Sequence, residues 1–563
     1  VQTLRRYRIY AVFCALAVAL CEAISRPVAE IGIGDDWSYT LTAEKLAATG
    51  HIVYNGWGAP ILGWQLFWGA AFLKLFGASY TAVRLSQIVV AMALAFVLQR
   101  TLVRCGISER NATIGTLAFV LSPLYLLLST VYMTDIPGLF ALVVCLYACL
   151  CALQSTTDRA AIGWLLFAAL SNALLGTTRQ IAWLGVLVMV PSTLWLLRDR
   201  RRVLIAGVLG VFAGILIIAG VLHWFGQQPY SVPEHIHLSR HAIPNILGEF
   251  TYLILDIPFL LLPITILFLP GIRSSTAKTK GIVWGLTVGY TLLALHLAPN
   301  PPHQWLEPAQ GDWVNPFGVL GSRVFLAPGD PKPFLPLVVQ VLLTLLSIGG
   351  LVGFFATLRQ PTTPAESTHS HTLRILLLPF TLVYIALLIP RAENLIFDRY
   401  SLALLVVLLV FVLRFYQQQL EPKLPNLALL AVLAMAVYGI VNTHNVFAFY
   451  RARIAMAAEL RAAGLPDSAV DYGWEVNLSN EIHQAPSIND PNITRPANIF
   501  IPVPEPPPGP CQNGWYSLTP HLHAVYGISF HPDSCAGPAP FAPVTFSRWL
   551  GSPVTLYVVR YNP

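Results

Sequence analysis

Residues 31–60 read IGIGDDWSYTLTAEKLAATGHIVYNGWGAP. They follow an apolar run, residues 9–25, that is long enough to cross a bilayer and is preceded by Arg5, Arg6 and Arg8. No small-residue cleavage site is convincing after that run, so it reads as a retained first span with a cytoplasmic N-terminus. The stretch then opens with two adjacent carboxylates, Asp35 and Asp36. A carboxylate beside a bilayer is costly unless it faces water or a partner. The pair therefore marks the first loop on the outer side of a membrane protein.

The rest of the chain agrees. Of its 563 residues, 55% are hydrophobic and only 11% charged, whereas soluble domains carry about 25% charged residues. Mean hydropathy is +0.63. Apolar runs recur at 9–25, 80–102, 112–131, 137–154, 160–177, 181–197, 203–223, 251–270, 282–298, 335–357, 374–389, 401–416 and 427–444. These predict an all-α polytopic membrane protein of about 13 spans. Residues 61–76 are apolar but short, rich in Trp and Phe, and carry Lys74. They fit an interfacial helix better than a crossing. The net charge of +7 is no nucleic-acid signature, because the basic residues sit in short clusters between apolar runs. Assigned alternately to the two sides, they crowd the short loops of one side, as cytoplasmic loops do.

With an odd number of spans the outer face receives the loops 26–79, 224–250, 299–334 and 390–400 and the C-terminal tail. The division expected is a membrane domain over 1–445 and an outer domain over 446–563. The loop 299–334 is dense in Pro and Gly and long enough to act as a lid. The tail is expected to be a small mixed α/β domain, with SPVTLYVVRY at its end as a strand and a proline-rich PVPEPPPGP segment before it. Cys511 and Cys535 both fall in the tail and are candidates for a disulfide outside the cytoplasm.

Several outer-face residues have two readings each. Asp35 and Asp36 either cap the helix that starts near Trp37 or supply a general base or metal ligand. Asp135, in VYMTDIPG, either caps a helix with Pro137 in its first turn or sits in an active site. Arg179, Arg240, Arg391 and Arg399 either snorkel to lipid headgroups or bind phosphate, for which the guanidinium fork is suited. His235 and His237 share a face only if their segment is extended, and zinc would need further ligands. A divalent metal is left open.

Taken in order, these motifs resemble the C-type (GT-C) glycosyltransferases, in particular the branch of protein O-mannosyltransferases and the lipid A aminoarabinose transferase. The residues that carry the resemblance are Asp35-Asp36-Trp-Ser-Tyr39 through Ala43-Glu44-Lys45-Leu46 to Gly50, then LKLFGASYTAVRL with Gly77 and Arg84, YMTDIP with Asp135, and DRYSLALL with Arg399 and Tyr400. The resemblance implies transfer of a monosaccharide from a polyprenyl-phosphate donor to a glycan, lipid or protein acceptor, at the periplasmic face of a bacterial inner membrane. It implies Asp35 as base, with Asp36 and Asp135 in support. Lys45, Arg179, Arg240 and Arg399 are the candidates for the donor phosphate. This chain departs from the branch at Ala59, where the aminoarabinose transferases carry lysine before the proline, and at Asp36, where Glu is common. The rival class is a transporter or lipid flippase, which would want charged residues near the middle of several spans.

Overall fold

The computed structural model describes residues 2–58, 60–234, 243–273, 306–309, 312–319, 331–358, 368–393, 396–504, 511 and 515–561, with part of 276–292. The first half contains α1 (Gln2–Ser25), α2 (Asp36–Thr49), α3 (Gly63–Phe76), α4 (Tyr80–Arg104), α5 (Glu109–Val120), α6 (Pro123–Ser129), α7 (Asp135–Leu153) and α8 (Asp158–Leu175). After these come α9 (Val190–Leu196), α10 (Arg201–Gln227), α11 (Ile243–Leu260), α12 (Leu262–Thr265), α13 (Leu269–Arg273), α14 (Leu337–Leu358), α15 (Thr368–Leu388), α16 (Leu402–Gln419), α17 (Asn426–Ala462) and α18 (Trp474–Gln484). Among the described residues, 10 helices are long and apolar enough to cross a membrane, or 11 if one bent pair counts as a span. The chain is a multi-pass membrane protein.

Three of the 13 expected runs are not seen as single long helices among the described residues. The run 112–131 is two helices, α5 and α6, bent by 68°. Pro123 has no N–H to continue the ladder and holds Ser122 in an extended conformation (ψ 151°), so the chain restarts with Ser122 as the N-cap of α6. The run 181–197 begins as a 3₁₀ turn, widens to a π-turn at Gly185–Met189 and becomes α-helical only at Val190. Here the Asn172 amide enters the ladder: its Oδ1 accepts from Val186 N at 2.8 Å and its Nδ2 donates to Ala182 O at 3.1 Å. The run 282–298 lies mostly outside the described residues. α3 has 14 residues, too short for a crossing.

Helix α17 has 37 residues, about 55 Å at 1.5 Å per residue, against about 30 Å of hydrocarbon. It runs unbroken past residue 445, and its last turns pack on the C-terminal region. That region contains α18 and a four-stranded sheet of β1 (Val470–Asp471), β2 (Tyr526–Ser529), β3 (Val544–Phe546) and β4 (Val554–Arg560), in the order β1-β2-β4-β3. Only β1 and β2 are parallel, and Tyr526 faces Arg560 across the central pair. β4 is the strand expected from SPVTLYVVRY. Cys511 and Cys535 are disulfide-bonded, with Cα atoms 5.5 Å apart. The buried Arg453 of α17 grips this region through Tyr472 O at 2.6 Å and Glu475 at 3.0 Å.

Candidate active site

Adjacent residues on a helix point about 100° apart, and this separates the two aspartates. Asp36 is fully buried in the first turn of α2. It accepts from Ile33 N at 2.6 Å and pairs with Arg84 of α4 at 2.9 Å. Arg84 also donates to Ile31 O at 2.6 Å and to Ala29 O. Burial pushes the Asp36 carboxyl up to about 6, with Arg84 and the Ile33 N–H pulling the other way. Asp36 thus ties the loop to α4 and has no open face toward a substrate. Asp36→Asn keeps the shape but loses a charge-assisted bond inside the protein. We expect a stability loss of about 1.5–3 kcal/mol, read as a lower melting temperature in detergent, with turnover of the folded fraction little changed. A drop in turnover with unchanged melting would overturn that assignment.

Asp35 precedes the helix and makes no capping bond with its side chain. Its Oδ1 accepts from Trp57 Nε1 at 3.1 Å, and its Oδ2 lies 3.6 Å from Arg399 Nη2. The Trp57 ring packs against Trp37, Trp474 and Trp515 with centroids 5.2–5.9 Å apart, so the C-terminal region buttresses the loop behind Asp35. Arg399 Nε lies 3.9 Å from Asp135 Oδ1, and that oxygen also pairs with Arg179. Asp35 and Asp135 therefore share Arg399. Its guanidinium carbon lies over the rings of Phe397 (4.4 Å), Trp313 (5.5 Å) and Tyr400 (5.7 Å), while Arg179 lies over Tyr400 at 4.7 Å. Asp135 Oδ2 and Arg399 Nε are buried without a hydrogen-bond partner. Buried polar atoms are seldom left so, and a bound polar group would satisfy them. A narrow crevice runs from this pair between Leu139, Leu142, Ile181 and Leu402. Tyr39 is buried beside the cluster; its phenol is raised well above the ordinary value by burial, then by Asp35.

Asp398 does not pair with the side chain of Arg399. Its carboxylate accepts from Trp313 N at 2.9 Å, Val314 N at 3.0 Å and Arg399 N at 2.7 Å, clamping residues 312–319 over the site. Trp313 in turn packs against Gly34. A Cβ there would lie 3.0 Å from the indole, and φ is +60°, so both the contact and the backbone call for glycine. Trp57, Trp313 and Asp398 were not singled out as site residues by the sequence reading. Trp57 and Trp313 carry no charge to flag them, and the backbone N–H groups that meet Asp398 belong to residues some 85 positions earlier in the chain.

Two other candidates, Lys45 and Arg391, are placed elsewhere. Lys45 is exposed on α2, and Arg391 pairs with Glu234. His235, His237 and Arg240 lie outside the described residues. Among the described residues, no three His, Cys, Asp or Glu are grouped to hold a metal ion.

The loop carries a second acidic clamp. Glu307 and Asp256 of α11 are both buried, and Ala309 N donates to Glu307 at 3.1 Å and to Asp256 at 3.3 Å. Burial, then the charge of Asp256, raises the Glu307 carboxyl well above its usual value. Docking thus favours the protonated acid. Its stabilising effect is full at low pH and falls as pH rises from about 4, the ordinary carboxylate value, through the raised one. Exchange at the Ala309 amide, corrected for intrinsic rate, should speed up as pH rises over that window, and Glu307→Gln should flatten the dependence.

Residues 60–227 match the family model described as dolichyl-phosphate-mannose-protein mannosyltransferase. That segment is mannosyltransferase-like. It contains Asp135 and Arg179 but neither Asp35 nor Arg399. No curated protein matches the chain. Among solved structures, apo ArnT from Cupriavidus metallidurans is 13% identical over 81% of this chain and 82% of that one, with a TM-score of 0.39. The Saccharomyces cerevisiae protein O-mannosyltransferase Pmt1–Pmt2 complex bound to its sugar donor is 14% identical over 38% and 32%, at 0.30. The apo oligosaccharyltransferase of Archaeoglobus fulgidus is 13% identical over 92% and 64%, at 0.44. Likeness at these scores is too loose to transfer a site.

Proposed function

We propose that the chain is a membrane glycosyltransferase that moves a monosaccharide from a polyprenyl-phosphate donor to an acceptor hydroxyl. It works at the periplasmic face of a bacterial inner membrane, with the N-terminus cytoplasmic, the membrane domain over 1–445 and the C-terminal domain over 446–563 outside. The observation that carries the reading is the arrangement around Arg399, with a carboxylate on either side and open hydrogen-bonding capacity at Asp135 and Arg399. The mannosyltransferase-like segment supports it from sequence.

The chemistry follows from the groups. The acceptor oxygen attacks the anomeric carbon while the bond from that carbon to the phosphate oxygen breaks. The electron pair leaves with the polyprenyl phosphate. The acceptor's proton passes to Asp35, which Trp57 and Arg399 hold in place. Arg399 and Arg179 supply positive charge where the departing phosphate develops negative charge. A single displacement inverts the anomeric centre. The transition state has oxocarbenium character, which the nearby carboxylates stabilise.

The test is direct. The purified chain in detergent is given radiolabelled polyprenyl-phosphate sugars and a cell-envelope extract as acceptor. The expected result is release of free polyprenyl phosphate with label transferred to the acceptor. Cleavage of none of the donors would overturn the reading.

A further inference from the structure

A second polar cavity lies on the far side of the loop that carries Asp35. It has a volume of about 170 Å³, is partly open, and is lined by residues 30–32, the start of α4, the protruding end of α17 and the face of α18. Its polar walls are Glu30, Tyr80, Arg453, Tyr472, Ser479 and Asn480, with Ile454, Ala457 and Val476 forming an apolar side. None of the catalytic candidates lines it.

Two features give it the character of a binding site. Arg453, 1% exposed, keeps its Nη1 without an acceptor, and Asn480 keeps a buried Nδ2 in the same state. Buried donors of this kind are rare and costly. The charges around the cavity are already matched. Arg453 pairs with Glu475 at 3.0 Å and Arg461 with Asp467 at 2.7 Å, while Glu30 accepts from Tyr80 N at 2.8 Å and Thr81 N at 3.2 Å. No cation is left over to attract a phosphate or carboxylate. The cavity thus offers hydrogen bonds and tyrosine side chains with no excess of positive charge, two arginines standing against three carboxylates. That combination suits a neutral polyol with apolar C–H faces.

We propose that this cavity binds a sugar ring, as a site separate from that of Asp35 and Arg399. Its position gives the occupant a route to the chemistry. Ile31 and Gly32 form one wall, and the Ile31 carbonyl and Ile33 amide are the groups held by Arg84 and Asp36 just before Asp35. A ring bound here presses on the segment that positions the base. Since α17 and α18 supply the opposite wall, the C-terminal region takes part in recognition. The site stands on its own observations and does not depend on the transfer reading.

The full-length protein in detergent is tested by saturation-transfer NMR with methyl glycosides of the common hexoses, and with inorganic phosphate as competitor. Saturable, millimolar binding of at least one glycoside is expected. It should weaken about tenfold in Asn480→Leu, which removes one hydrogen bond, and vanish in Ser479→Trp, which fills the cavity from its rim. Melting temperatures identify any variant that has unfolded, and Asp35→Asn should bind as the parent does. Four results would overturn the proposal: no saturable signal, as for a cavity that holds only water; binding unmoved by both cavity variants; displacement by phosphate; or loss of binding in Asp35→Asn, which would place the glycoside in the other site. If a trisaccharide binds more tightly than the monosaccharide, and Asn480→Leu raises only the KM for acceptor, the ring is a unit of the acceptor. Equal binding of both identifies a free monosaccharide. Glycoside binding without any transfer would leave this proposal standing while the proposed function fell.

Discussion

Asp35→Asn is expected to slow sugar transfer by roughly a hundred- to ten-thousand-fold, the range for removing a general base. The amide is nearly isosteric with the carboxylate. Its oxygen can still accept from Trp57 Nε1, so the loop should keep its place on the tryptophan cluster. What is lost is the negative charge that takes the acceptor's proton. Single-turnover assays with labelled donor should therefore show a slower chemical step at unchanged donor affinity and unchanged melting temperature. Full turnover in this variant would remove Asp35 as base. The contrast with Asp36→Asn sharpens the test, because the neighbouring change should act on stability and leave the chemical step almost untouched.

Arg399→Lys is expected to cost about a hundred- to a thousand-fold in kcat/KM for the donor, as for loss of a group that stabilises charge in the transition state. The conservative charge should not rescue it. Arg399 reaches toward Asp35 and Asp135 from different nitrogens, at 3.6 and 3.9 Å, and its guanidinium carbon lies 4.4 Å from the centre of the Phe397 ring. A lysine ammonium is a point charge without a planar face or a fork. Arg179 would remain paired with Asp135, so the variant should fold and bind donor weakly. Measuring kcat and KM separately decides between the roles. A fall mainly in kcat assigns Arg399 to the transition state, and a rise only in KM assigns it to ground-state binding. Parental kinetics would exclude it from the site.

The membrane character of the chain and most of its spans were legible from residue order. A run of about 20 apolar residues is a local property that needs no partner to be recognised. The terminal strand was legible for the same reason, since alternation along SPVTLYVVRY is read within the segment itself. The mismatch at 181–197 arose because the π-turn there depends on Asn172, a residue of another helix. The bend at Ser122–Pro123 could have been read from the proline.

Sequence alone therefore determined the class of the protein and drew up a roster of loop charges. It did not determine which of them meet. Asp35 and Asp36 are equivalent as letters, and one step of helix rotation sends Asp36 to Arg84 and Asp35 to Trp57 and Arg399. Arg399 comes late in the chain, yet it sits between carboxylates from the first loop and from α7. Only the packing of α4, α7 and α16 at one end of the bundle brings these groups together. The physical reason is that apolar length is written in neighbouring residues, whereas the partner of a buried charge is fixed by whichever helix packs beside it.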